Sequence, residues 1–519
     1  MRVVPLLTVV VAGLRTRLAI SMMAAVLSAA PVMAAEPGAD VVAAAKSGDH
    51  EALRALVKKR ADVNAAEADG TTALHWAIRA HDTASAATLI RAGANVNAAN
   101  RYEVTPLSLA AVNGDAAMIT ALLDAGADAN FTRSDGETVL MTAARTGSPE
   151  AVKVLVARGA RVDAVEKTLG QTALIWAASE NHAAVVTLLV EAGADVNKRS
   201  AALTFPPFKW GVNGMVSTVL PKGSWSPLMY AARQNSVEAV RALAAAGADV
   251  NAADPDGATP LLIALANAHY DMADALLDLK ADPNLADVSG QAPLYAAVEM
   301  HTLAPMVGRP SPKLFGKVEA PAIVTKLLEH GANPNAALKR PALGRHHDLG
   351  GDASMGEGTT PLMRAARTGD VELMRILMAN GASPYVRRRD LSTALTLAAT
   401  GRGGGLPTGP STIPGASSLD AVKMLLQVGV DPNGFNLNGQ TALHIAAQRG
   451  SDPLVTELIA AGAKLDLRDK QKRTPLDLAL GVGLKGRTPD EETPVRVSTA
   501  KLLREAMEQR GIEVPVSAR

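Results

Sequence analysis

Residues 69 to 97 read DGTTALHWAIRAHDTASAATLIRAGANVN. The stretch opens on a turn at Asp69-Gly70, runs through Thr72-Ala73-Leu74-His75-Trp76-Ala77, reaches an apolar pair at Leu89-Ile90 and closes on Gly93-Ala94-Asn95-Val96-Asn97. The position of Thr72 recurs at Thr105, Thr138, Thr172, Ser226, Thr259, Ala292, Thr360, Thr393, Thr441 and Thr474. Most steps are 33 residues; apart from one step of 34, the others are 33 plus an insertion. A fixed period of this length means supersecondary units that stack, because one unit cannot bury its own apolar face.

Within a unit, the hydroxyl of Thr72 is placed to accept from an amide of the first helical turn, which makes it a helix cap. Proline follows the cap at Pro106, Pro227, Pro260, Pro293, Pro361 and Pro475, where no amide hydrogen is needed. A second helix carries the apolar pair, repeated as Leu122-Leu123, Leu155-Val156 and so on to Leu502-Leu503, and both members are expected in the core. A glycine then ends that helix in the left-handed region, from Gly93 to Gly462. Only the sixth unit, with Lys280, lacks it.

These residues resemble the ankyrin repeat, whose signature is Thr-Pro-Leu-His-x-Ala followed by Gly-Ala-Asp-x-Asn. The resemblance runs from about Asp40 onward in eleven in-phase matches. It implies an all-α solenoid of about eleven helix-turn-helix units with projecting hairpin fingers, preceded by an N-terminal cap. It also implies that His75 and His444 have a structural role between repeats, and that protein binding takes place on the concave face.

Composition agrees with one elongated domain, since a solenoid grows without the limit that a single core imposes. Aromatic content is only 3%, as close helix stacking on small residues requires. Residues 1–35 hold Arg2, Arg15 and Arg17 and no acid, so the remainder has 52 − 3 = 49 basic against 51 acidic side chains. That balance argues against bulk nucleic-acid binding. The absence of cysteine excludes disulfides, thiol catalysis and thiolate metal sites, and fits export.

In chain order, residues 1–35 read as a secretory signal: basic residues through Arg17, an apolar run from Leu18 to Ala30, and small residues at Val32-Met33-Ala34-Ala35. The run is short for a membrane span, although a retained anchor is the alternative. Thr16 separates the two arginines, so general secretion is the expected route, to the periplasm or outside the cell, with no stable membrane insertion after cleavage. A single repeat domain, 36–519, follows, opening with two cap helices near Val41–Ser47 and Glu51–Lys58 and closing on a charged helix at Thr499–Arg510. Insertions interrupt it at 198–225, 301–320, 336–358 and 400–418. The first holds Phe205, Phe208, Trp210 and Trp225, which read either as packing on their own scaffold or as an aromatic binding finger. The other three crowd one region, where long loops are either a second site or filler.

No motif supplies a nucleophile with its base, so the chain reads as non-enzymatic, with no cofactor. Gly404 to Ser411 has the outline of a phosphate-binding loop, but Pro410 stands where the lysine should be. His346-His347-Asp348 offers metal ligands without helical spacing to orient them, so no metal site is expected. Arg387-Arg388-Arg389 reads as a solvated finger tip, and Asn130-Phe131-Thr132 as a chance glycosylation acceptor.

The seventh residue after each cap is expected at the exposed end of the first helix. Reading it along the array gives Arg79, Val112, Arg145, Ser179, Arg233, Ala266, Glu299, Arg367, Thr400 and Gln448. Arg79, Arg145, Arg233 and Arg367 would form a spaced basic row, bordered by Tyr102 and by the aromatics of the first insertion. An exported protein-interaction scaffold for an acidic, elongated protein is the expected function. The alternatives are a secreted effector or immunity protein, or an enzyme or metal-dependent factor built from the insertions. The mature chain is expected to begin at or near Ala35 or Glu36. Mass spectrometry of the protein from cells checks this, and an intact Met1 in a membrane fraction would overturn it.

Overall fold

A computed structural model describes residues 39–204, 208–210, 216–218, 222–302, 316–340, 355–401, 415–483 and 495–514. Residues 1–35, Gly404 to Ser411 and His346-His347-Asp348 lie outside them, as do the greater parts of the three later insertions. Among the described residues, twelve antiparallel helix pairs follow one another, a cap pair and eleven units. The cap helices are Ala39–Ser47 and His50–Lys58; the last pair is Pro475–Ala479 with Val497–Gln509. Each inner helix packs on the inner helix of the next unit, and each outer helix on the next outer one.

Most of the local signals do what their chemistry requires, but the Thr72 hydroxyl meets His75 Nδ1 at 2.7 Å and makes no side-chain bond to a helix amide. The Thr105 hydroxyl accepts from the Ser108 amide at 3.1 Å, and Thr138, Thr172, Thr259, Thr360, Thr393 and Thr474 cap their helices in the same way. Asp82 and Asp115 cap outer helices through the amides of Ser85 and Met118. At the outer helix's end Gly93 has φ 86° and the Ala94 amide reaches back to the Leu89 carbonyl at 3.0 Å. Lys280 takes the same left-handed conformation, φ 69°, with a Cβ that glycine avoids.

Full burial of both residues of the apolar pair was the expectation; Leu122-Leu123, Leu276-Leu277 and Leu327-Leu328 meet it, while in other units the pair divides. Leu89, Leu122, Leu155, Leu189, Leu243, Leu276, Leu327, Leu377, Leu425 and Leu458 are fully buried. Their neighbours Ile90, Val156, Val190, Met378, Leu426 and Ile459 are only half-buried. One residue along a helix is a rotation of about 100°, which turns the second side chain to the edge of the contact. Each fully buried leucine contributes roughly 1.5–3 kcal/mol, so the ladder of leucines is the main apolar term.

Two polar ladders run beside it. The Asn97 side chain donates to the Gly126 carbonyl at 2.9 Å and accepts from the Asp128 amide at 2.8 Å, joining one unit to the next. Asn64, Asn130, Asn284 and Asn335 make the same pair of bonds. Fingers join through backbone: Arg101 to Asp69, Lys167 to Asp135, Val288 to Asp256 and Leu437 to Asp390, amide to carbonyl at 2.7–2.9 Å.

The insertion at 198–225 prolongs one finger. Ser200 and Leu203 donate to the Trp225 and Lys222 carbonyls, and strand Phe208–Trp210 pairs antiparallel with Val216–Thr218. The Arg199 guanidinium holds its base, donating to the carbonyls of Ser224 and Ala253 at 2.9 Å each. This is the only two-stranded sheet among the described residues, in an otherwise helical fold.

Because a lysine in the left-handed region costs more than a glycine there, Lys280→Gly should raise the unfolding free energy by about 1 kcal/mol at most, read as a higher urea midpoint. A lower midpoint would show that the lysine side chain holds the sixth unit in some other way.

Candidate functional site

Three positions in each unit share the inner-helix face: the residue before the cap, and the fourth and seventh residues after it. In the first unit Trp76 and Arg79 occupy the last two. The indole N–H of Trp76 donates to Glu67 Oε2 at 3.0 Å on the preceding finger. Lys46 Nζ stands 4.3 Å and the Arg79 guanidinium 5.4 Å from the ring centroid, while Lys46 also pairs with Glu67 Oε1 at 2.8 Å. The pattern repeats in the fourth unit. Trp176 donates to Gln171 Oε1 at 2.8 Å, and Arg145 from the third unit lies 4.7 Å over its ring. Each indole is thus held at one edge by a hydrogen bond and on its face by a cation, a contact worth about 0.5–1 kcal/mol at exposed sites.

The sequence reading named the arginines and missed Lys46, Trp76, Trp176 and Tyr230. The signal was present, since Trp76, Trp176 and Tyr230 all stand at the variable position of the Thr-Pro-Leu-His-x-Ala pattern. Arg79, Arg145 and Arg233 are exposed on this one face. Arg145 also pairs with Glu137 at 3.5 Å, whose carboxylate accepts from Thr142 as well. Among the described residues, Arg79 and Arg233 pair with no carboxylate within 4 Å. Tyr102 is 56% exposed on its finger, with its hydroxyl accepting from Arg101.

Two of the expected anchors sit elsewhere. Arg367 is buried at 7% exposure and does not extend the exposed row. Its helix, Pro361–Thr368, is buried along its whole length, as are Pro260–Ala266 and residues 394–399. Polar groups there are taken up internally: Gln291 donates to Glu299 at 2.7 Å and Arg364 to the Thr302 hydroxyl at 2.9 Å. Trp225 is also buried; its N–H donates to Asp254 Oδ2 at 3.1 Å, and its ring meets Tyr230 edge-on with centroids 5.5 Å apart. It belongs to the scaffold, with Arg233 5.4 Å from its ring. Phe205 and the side chains of Phe208 and Trp210 lie outside the described residues.

His75 and His444 are pinned between units. The Thr72 amide donates to His75 Nδ1 at 3.1 Å, so the ring proton is on Nε2 and donates to the Val104 carbonyl of the next unit at 3.0 Å. His444 repeats this with Thr441 and Arg473. Burial pushes the pKa of both below the ordinary histidine value, against the pull of those carbonyls.

Family models described as ankyrin repeats (3 copies) match residues 107–200, 212–287, 228–304 and 415–485, and models described as ankyrin repeats (many copies) match 41–90 and 348–398. The chain belongs to the ankyrin repeat family. It is similar to the potassium channel SKOR of Arabidopsis thaliana, 39% identical over 74 residues, 14% of this chain and 9% of that one. It is similar to protein fem-1 homolog A of Homo sapiens, 41% identical over 61 residues, 12% of this chain and 9% of that one. A solved structure of the human ASB11 ankyrin repeat domain aligns at 26% identity with a TM-score of 0.38, over 47% of this chain and 98% of that one. The chain spans under a tenth of the length of the curated relatives it matches.

The two histidines generate a pH dependence. Their folded pKa lies below the unfolded one, so between the two values the unfolded chain binds more protons and is favoured. Stability should hold above about pH 6.5 and fall as the pH drops below it. Glutamine at His75 and His444 can still accept from the cap amide, so His75→Gln with His444→Gln should lose part of that slope in urea melts. A slope that does not change would place the proton uptake elsewhere.

Proposed function

We propose that this chain is a non-enzymatic scaffold, exported to the periplasm or beyond, that binds a protein partner along the inner-helix face of units one to five. Ankyrin repeats are protein-interaction modules, and that much comes with the family. The observation that carries the reading further is the row Arg79, Arg145 and Arg233, each guanidinium beside an indole and exposed on one face. Arginine and large aromatics are the residues in which binding hot spots are enriched, and exposed cations on one face favour a partner of acidic character. Export rests on the amino-terminal sequence alone. A secreted effector or immunity protein would use the same face on a foreign partner.

Reversing charge at this face tests the reading without touching the core, since both side chains are exposed. Arg145→Glu with Arg233→Glu should weaken a partner captured from periplasmic extract by roughly tenfold or more. The helical circular dichroism signal should remain that of the parent, with the melting profile lowered only by the loss of the two cation–ring contacts and the Arg145–Glu137 pair. If affinity survives the double reversal, the inner-helix row is not the binding surface.

A further inference from the structure

The spacing of the arginines on this face carries information about the shape of what they bind; Lys46, at the same position of the cap pair, is already held by Glu67 at 2.8 Å. Arg79, Arg145 and Arg233 belong to units one, three and five, so one whole unit separates each from the next. The units between present no charge at the same positions. The second has Leu109 half-buried and Val112 55% exposed, and the fourth has Ser179 half-buried. With packed helices about 10 Å apart, cations in alternate units stand roughly 20 Å apart.

That distance discriminates between polyanions. A nucleic-acid strand carries a phosphate about every 3.4 Å along the duplex axis, so some five of every six charges would meet no cation. They would also face Glu67 and Glu137, which already hold Lys46 and Arg145. An extended polypeptide advances about 3.3 Å per residue, and crosses 20 Å in about six residues. A sparse run of carboxylates therefore fits and a dense polyanion does not.

Resting on the proposed function, we propose that the face selects an extended polypeptide segment with acidic residues about six positions apart. An apolar side chain between the first two acids would lie over Val112. The carboxylates are taken by guanidinium groups already oriented by Trp76, Trp176 and Trp225. Those indoles are themselves fixed by hydrogen bonds to Glu67, Gln171 and Asp254, so the cations need little ordering when the segment binds. The bidentate geometry of arginine suits a carboxylate, and lysine at the same positions would not replace it.

The probe is a fluorescein-labelled synthetic peptide with three glutamates about six residues apart and a leucine midway between the first two. Its control has the same composition with the glutamates contiguous. Fluorescence anisotropy with the full chain should show the spaced peptide binding roughly tenfold tighter than the contiguous one. Arg79→Gln with Arg233→Gln should abolish the difference between them. Equal binding of the two peptides, binding of neither, or a preference that survives the two substitutions overturns the proposal. Failure here is distinguishable from failure of the proposed function. A natural partner lost on reversal of Arg145 and Arg233, with no preference between the peptides, keeps the face as the site and removes the register.

Discussion

The junction between one unit and the next is the constraint on which the structure depends. A unit presents one leucine, such as Leu89, that is fully buried only when its neighbour is in place. Beside it, the last finger residue must close the polar groups freed where the outer helix ends. Asparagine suits this position because its side chain both donates and accepts. Asn97 gives a hydrogen to the Gly126 carbonyl and takes one from the Asp128 amide, which an acid cannot do. Where the residue is Asp163, only the accepting half remains, from the Asp195 amide. Tyr385, in the corresponding place of the eighth unit, reaches the Val428 carbonyl with its hydroxyl instead.

Such a junction asks little of the fourth and seventh residues after the cap in the first five units. Helix caps, buried leucines and finger ladders all use other positions, so the fourth and seventh residues after the cap can change without breaking the stack. That is where the units differ most. Units one, three, four and five place a tryptophan, tyrosine or arginine there, half-exposed or exposed, and unit two has Leu109 and Val112. Units six to nine carry the face inside, with Arg364 and Glu299 engaged in internal hydrogen bonds. Among the described residues, the seventh-position arginines are therefore exposed in units one, three and five and buried in unit eight.

The prolonged finger at 200–224 shows how the scaffold accepts an insertion. Its strands pair with each other, the Ala201 amide still donates to the Leu169 carbonyl of the preceding finger, and Arg199 ties its base to the next finger through the Ser224 and Ala253 carbonyls. Trp225, which ends it, returns to the core and lends its ring to Arg233. An insertion at a finger tip costs little because the loop closes on itself.

The sequence alone determined the period, the unit boundaries, the caps at Thr72 and its equivalents and the glycine stops, because each is set by residues close together in the chain. It also determined that Lys280 stands where glycine belongs. Whether the seventh position was exposed depended on neighbours many residues away, so Arg79 and Arg367 read alike yet one is exposed and the other buried. The indole of Trp176 meets the guanidinium of Arg145 from the unit before, a contact 31 residues apart in sequence. Only stacking of the units brings those groups together, since a side chain's partners across a solenoid are set by the neighbouring unit's surface and not by its own helix.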